Sequence, residues 1–260
     1  MENAEVWGGG EDLLVLYILL GMLGLFALYV LLLTVSALLV NPKREYDRED
    51  PFYRCLLNSA TVLGIKLLRI RVHTSGIEQI PGDAQVLFVE NHRSNFDPII
   101  TWYALKKWKM AFVSKPENFR IPIFGRIIRK CCFLPIDREN PRNALRTVQK
   151  AAALIEKGTL SVGVYPEGTR SKTREILPFH NCVFKIAQKA DAPIVVLCIS
   201  GTEGISKNTP FLPTDVYLDV VGVFSGEEIQ TARTEQIGAK VRHLLVTNLR
   251  KREQVWQKDM

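Results

Sequence analysis

From Leu13 to Val40 the chain carries no charged side chain over 28 residues, and this run constrains the fold more than any other feature. As a helix it would reach about 42 Å at 1.5 Å per residue, whereas about 20 apolar residues suffice to cross a hydrocarbon core of about 30 Å. A core helix of a soluble domain rarely goes so long without a charge. The run predicts a membrane helix that spans with tilt or extends into the headgroups, with a helix lying in the interface as the other reading. A secretory leader fits poorly, because the preceding residues are acidic (Glu2, Glu5, Glu11, Asp12) and the apolar run is too long. Basic residues appear only after it, starting with Lys43, Arg44, Arg48 and Arg54. The positive-inside rule then turns the N-terminus outward and leaves the rest of the chain on the cytoplasmic side of what we expect to be a bacterial cell membrane.

The formal net charge is +7, and removing the four N-terminal acids leaves about +11 on residues 41–260. A domain this basic suits anionic partners, an anionic bilayer surface among them. No motif points to nucleic acid. The five cysteines (Cys55, Cys131, Cys132, Cys182, Cys198) form no C-x-x-C pair and no metal-ligand spacing. We expect no metal, and reduced, mostly buried thiols in a cytosolic domain.

Residues 1–68 read as a membrane anchor and 69–260 as one catalytic domain. Within the anchor, the apolar helix 13–40 is followed by a polar connector and an amphipathic helix over 51–68, which either lies on the membrane or packs on the domain. From residue 69 onward strands and helices alternate. Strands are expected at Ile70–His73, Val86–Glu90, Ala111–Ser114, Cys132–Ile136, Ser161–Tyr165, Ile194–Ile199 and Val216–Val223. Helices are expected at Ile99 to Trp108, after Asn140-Pro141 with Leu145, Val148, Ala152 and Ile155 inward, at Cys182 to Lys189, and from Thr234 to Arg250. The fold class is α/β: a mixed, largely parallel sheet flanked by helices.

Three clusters fall at strand ends, where α/β folds place ligands. Asn91-His92-Arg93-Ser94-Asn95-Phe96-Asp97 sets an imidazole and a carboxylate five residues apart on a strand-to-helix connection. Asp97 either caps the helix that Pro98 opens or reaches one imidazole nitrogen and makes His92 a general base. In Pro166-Glu167-Gly168-Thr169-Arg170-Ser171, glycine permits close approach, Thr169 and Arg170 can donate to a phosphate, and Glu167 can hold Arg170 or accept from a hydroxyl. Arg138, ending Pro135-Ile136-Asp137-Arg138, is a second phosphate donor or merely half of a surface pair with Asp137. A base, a hydroxyl acceptor and phosphate donors suggest acyl transfer onto a phosphorylated alcohol. The phosphate loop G-x-x-x-x-G-K-[ST] of phosphoryl transfer and the G-x-S-x-G of serine hydrolases are both missing.

Taken together, these motifs resemble the 1-acylglycerol-3-phosphate (lysophosphatidate) acyltransferase family. Its Asn-His-x4-Asp motif appears as Asn91 to Asp97, its second motif as Phe124-Gly125 through Ile136-Asp137-Arg138, its Pro-Glu-Gly-Thr-Arg-Ser motif as Pro166 to Ser171, and its proline-led apolar strand as Ala192-Pro193-Ile194-Val195-Val196. The likeness runs over roughly residues 70–205. It departs where members often show Phe-Lys-x-Gly, since Phe179-His180-Asn181-Cys182 stands there; His180 is not taken as the base, and His73 and His243 read as structural. The resemblance implies that His92, oriented by Asp97, activates the sn-2 hydroxyl of lysophosphatidate. That oxygen would take a fatty acyl group from acyl-CoA or acyl-carrier protein, with no cofactor besides the thioester substrate, to give phosphatidate for phospholipid biosynthesis. Arg138, Glu167, Gly168, Thr169 and Arg170 would bind the acceptor. Acylation of glycerol 3-phosphate or another lysophospholipid is the alternative, and a non-catalytic, membrane-anchored module binding anionic lipid is the reading outside enzymology.

Overall fold

Short apolar runs with no polar alternation need cover on both faces, and a parallel sheet between helix layers supplies it. A computed structural model of the chain describes residues 9–173 and 175–258, so Glu2 and Glu5 lie outside the described residues. Helices α1 (Gly9–Leu38) and α2 (Pro51–Leu67) lead into strand β1 (Ile70–Ser75). There follow β2 (Leu87–Glu90), α3 (Asp97–Ala104), β3 (Met110–Ser114), α4 (Phe124–Lys130), β4 (Leu134–Pro135), α5 (Pro141–Glu156) and β5 (Ser161–Val164). The chain continues with α6 (Lys185–Ala190), β6 (Ile194–Ser200), α7 (Ile205–Asn208), β7 (Thr214–Phe224), α8 (Gly226–Thr231) and α9 (Thr234–Lys258).

The seven strands form one sheet in the order β1-β7-β6-β2-β5-β3-β4. Among the described residues only the β6–β7 pairing is antiparallel, so the sheet is mixed and largely parallel, as expected. Alternate residues feed two cores. Leu87, Val89, Val162, Val164, Ile194 and Val196 join the face that holds the buried residues of α5, α6 and α9. Val86, Phe88, Val195 and Leu197 join the face covered by α2, α3 and α4. A fully buried side chain such as Phe88 is worth about 1.5–3 kcal/mol relative to exposure.

Helix α5 begins where the sequence places it, with Asn140 accepting from the Arg142 and Asn143 N–H groups and Pro141 in the first turn. One expectation for it fails: Leu145 is 48% exposed, because the buried stripe turns through Val148, Ala151, Ala152 and Ile155 instead. Helix α3 stops at Ala104 rather than reaching Trp108, and its N-cap is Phe96 rather than Asp97.

Helix α2 packs on the sheet domain through Tyr53, Leu56, Leu57, Thr61 and Ile65. Arg54 is buried with them, where it pairs with Glu49, donates to the Met110 carbonyl at 3.0 Å and lies 4.6 Å from the Trp102 ring. Helix α1 runs antiparallel to α2, since Tyr53 Oη donates to the Ser36 carbonyl at 2.8 Å and Tyr29 Oη lies 2.8 Å from Ser59 Oγ. Its C-terminal end also meets α4, where Arg126 Nη1 donates to the Ala37 carbonyl at 3.4 Å, whereas residues 11–28 are all exposed. Among the described residues Glu11–Leu38 is one helix long and apolar enough to cross a membrane.

Candidate functional site

Five strands end on one edge of the sheet, and the loops after four of them supply His92, Arg138, Glu167 to Arg170, and Thr202. After β2, Asn91 turns its amide back onto β6: Nδ2 donates to the Ile199 carbonyl and Oδ1 accepts from the Ile199 N–H, each at 2.9 Å. This side chain continues the β2–β6 pairing past the last strand residue, so His92 emerges at a defined place.

His92 Nδ1 lies 2.8 Å from Asp97 Oδ2. The same oxygen accepts from the Arg93 N–H at 2.6 Å and the Ser94 N–H at 2.7 Å. Asp97 Oδ1 accepts from Thr202 Oγ1, delivered by the loop after β6, at 2.6 Å. The carboxylate is fully buried, so four donors surround a charge that burial alone would penalise heavily. Asp97 therefore folds the turn behind it and orients the imidazole instead of capping α3. The two readings left open by the sequence are separated by one backbone fact, that Asp97 is already inside the helix.

The turn after β5 meets this loop. Gly168 closes it at φ +70°, and a Cβ there would sit 2.7 Å from His180 Cδ2. Glu167 is buried, its two oxygens accepting from the His92 N–H at 2.7 Å and the Leu177 N–H at 2.8 Å. Burial pushes the Glu167 carboxyl up, while these two N–H donors pull it back. Its carboxylate is thus occupied in joining loops, and His92 returns a bond by accepting from the Ser171 N–H at 2.9 Å. Arg170 lines the cavity described below; Thr169 is exposed. Arg138 stands at the same edge after β4, and burial draws its guanidinium below the ordinary value against the pull of Glu117. It is not paired with Asp137, whose carboxylate accepts from the Glu139 and Asn140 N–H groups and from Asn143 Nδ2.

Under the imidazole lies Tyr165, stacked at 4.2 Å between ring centroids. Its hydroxyl is buried beside Glu90, which is 2% exposed and accepts from Thr101 Oγ1 at 2.6 Å. Burial, with Asp97 nearby, raises the Glu90 carboxyl well above its ordinary value. Thr202, Tyr165, Glu90 and Thr101 carried no role in the sequence. Thr202 lies 105 residues from its partner and no spacing could announce it; a glutamate inside an apolar strand run was the one available signal.

A cavity of about 500 Å³ opens from His92. Trp102, Phe112, Phe133, Ile99 and Leu57 form its apolar walls, and Arg138 and Arg170 also line it. Gly163 makes part of this room, because a Cβ there would meet the Phe112 ring at 2.5 Å. A smaller chamber of about 80 Å³ adjoins it along Tyr165, Arg138, Gly168 and His180. Chemically, the arrangement can take a proton from a hydroxyl, hold an anion beside it and keep a long apolar group out of water.

Residues 71–200, half of the chain, match the acyltransferase family model. The 1-acyl-sn-glycerol-3-phosphate acyltransferase of Escherichia coli is 32% identical over 126 residues, 47% of this chain and 51% of that protein. A probable 1-acyl-sn-glycerol-3-phosphate acyltransferase of Mycoplasma pneumoniae is 33% identical over 156 residues, 58% of this chain and 56% of that one. The chloroplastic enzyme BAT2 of Brassica napus is 35% identical over 128 residues, 49% of this chain and 36% of its own length. The chain thus spans about half the length, or less, of the curated relatives it matches. In fold it is similar to the crystal structure of the 1-acyl-sn-glycerophosphate acyltransferase PlsC from Thermotoga maritima, with a TM-score of 0.66, 22% identity, and 87% and 89% of the two chains covered. The chain belongs to the acyltransferase family.

Proposed function

We propose that this chain acylates the sn-2 hydroxyl of lysophosphatidate, giving phosphatidate for phospholipid synthesis, with acyl-CoA or acyl-carrier protein as thioester donor. One observation carries the reading: the His92–Asp97 pair opens into an apolar cavity that two arginines also line. Asp97 holds Nδ1, so Nε2 takes the hydroxyl proton as the acceptor oxygen attacks the thioester carbonyl. The tetrahedral intermediate then expels the thiolate, which recovers that proton from the imidazolium. The acceptor is itself the nucleophile, so no acyl-enzyme forms and the thioester is the only co-substrate.

Arg138 and Arg170 bind the acceptor phosphate in this reading, and Gly168 and Thr169 shape the turn that presents Arg170. Glu167 acts through His92 and Leu177 as a positioning residue. Helix α1 crosses a bacterial cell membrane with the sheet domain on the cytoplasmic side, where the anionic lipid surface meets a basic domain. Residues 1–68 form the anchoring part in this reading and 69–260 the catalytic part.

The test is an assay of purified protein with lysophosphatidate, glycerol 3-phosphate and other lysophospholipids against each thioester, reading phosphatidate and released thiol. His92→Ala is expected to lower turnover by about 10²–10⁴ with an unchanged circular dichroism spectrum. Near-normal turnover in that variant, or no thiol release with any acceptor in the unaltered protein, removes the proposal.

A further inference from the structure

We propose that the loop between α7 and β7 is a second membrane contact, which inserts Phe211 and Leu212 into the bilayer beside α1. The inference rests on α1 being a membrane span. Phe211 is 82% exposed and Leu212 61%, and Leu67 at the end of α2 is also 61% exposed. Adjacent apolar side chains this open to solvent call for a partner, and the fold says which one.

The direction follows from named contacts. Helix α2 starts at the edge where strands β3 and β5 begin, since Arg54 Nη2 donates to the carbonyl of Met110, the first residue of β3. It ends at the opposite edge, where β1 starts at Ile70, paired with Thr214 at the start of β7. That edge is the one bearing His92, because β7 runs antiparallel to β6 and Tyr217 pairs with Ser200, the last residue of β6. Helix α1 is antiparallel to α2, so its exposed residues 11–28 leave the domain towards the same edge. Eighteen residues at 1.5 Å each reach about 27 Å, which is close to a hydrocarbon thickness.

The loop is fixed to the end of α2. Arg69 Nη1 donates to the Phe211 carbonyl at 2.9 Å, and the Thr214 N–H donates to the Arg69 carbonyl at 3.2 Å. The main chain of the loop tip is thereby held while its two apolar side chains face outward. Lys66, Arg69 and Lys207 are exposed around it, a basic rim that suits anionic headgroups. The occupant that fits a charge-free helix, an apolar tip and a basic rim on one edge is a lipid bilayer. With two contacts instead of one, the domain cannot pivot freely about α1, and the mouth beside His92 is held against the surface from which an amphiphile would enter.

The experiment uses the full chain in vesicles of phosphatidylcholine and phosphatidylglycerol, with the exposed Cys55 and Cys182 changed to serine. A nitrobenzoxadiazole label is attached at Phe211→Cys, or at Lys157→Cys on the far edge of the sheet as a control. We expect both proteins to float with the vesicles, and lipid-borne nitroxide to quench the label at 211 several-fold more than the label at 157. Equal quenching in floating proteins overturns this inference and leaves the acyltransferase reading intact, because the readout needs no turnover. A blue-shifted label at 211 that lipid quencher does not reach marks contact with a second copy and overturns it too. Failure of the protein to float overturns both the span and the loop contact. The same vesicles carrying Phe211→Asp with Leu212→Asp should show the quenching of a label at Leu67→Cys fall at least twofold, and no change would again count against the loop.

Discussion

At Asp97, one carboxylate receives four donors from two stretches of chain, residues 92–94 and Thr202, and the two side-chain donors can be removed separately. Thr202→Val deletes the donor to Oδ1 without changing side-chain volume much. A buried hydrogen bond to a charged group is worth about 1.5–3 kcal/mol, so thermal unfolding in micelles should show a loss of that order, together with reduced turnover. A variant as stable and as active as the unaltered protein would show that Asp97 does not depend on the β6 loop. Glu90 gives the pH-dependent counterpart. Its carboxyl is raised above the ordinary value of 4.5, chiefly by burial, so the folded state binds the proton more tightly than the unfolded one. The stability this confers is complete below the ordinary value and is lost as pH rises through the raised one. Glu90→Gln keeps an acceptor for Thr101 and carries no such proton. Its melting temperature should therefore fall less between about pH 4.5 and neutrality than that of the unaltered protein; parallel curves would exclude a raised Glu90.

Among the elements, the turn after β5 has the least latitude. Gly168→Ala would place a side chain at φ +70° and drive Cβ against His180. The left-handed conformation alone costs an L-residue about 1–2 kcal/mol, and relief of the clash must move His180, beside which Arg138 also stands. The expected outcome is a raised KM for the phosphorylated acceptor with a smaller change in kcat, measured by steady-state kinetics. Equal kcat and KM to the unaltered protein would detach this turn from acceptor binding. The strands were legible because Val86 to Val89 and Ile194 to Ile199 are apolar on both faces, a pattern that announces a covered strand without any neighbour. Helix boundaries were less so. Asp97-Pro98 reads locally as a cap and a first helical residue, yet the turn that Asp97 itself folds starts α3 one residue earlier. Leu145 was expected inside α5 and lies outside, because a helix stripe is set by where the sheet sits and periodicity leaves several neighbouring stripes equivalent.

For the whole molecule, the consequence to test is orientation. With α1 spanning and the basic domain retained, an N-terminal epitope on intact cells should be removed by external protease while the sheet domain is protected. The reverse pattern would invert the topology. Leu20→Arg, in the exposed part of α1, puts a charge into the run at a cost of about 2.5–3.5 kcal/mol at a helix centre and should release more protein on alkaline extraction. The sequence by itself determined that a charge-free helix precedes an α/β domain and which runs become strands, and it offered His92, Asp97, Arg138 and Arg170 as candidates at strand ends. These follow from local composition, since apolar periodicity and side-chain type act on each segment independently of the others. Only the tertiary structure decided that Thr202 supports Asp97, that Tyr165 lies under the imidazole, that Glu167 spends both oxygens on backbone, and that α1 and Phe211 leave by one edge. Those facts depend on strand order and on the antiparallel pairing of β6 with β7, which bring together residues about a hundred positions apart, and no local preference encodes which distant segment a strand will lie beside.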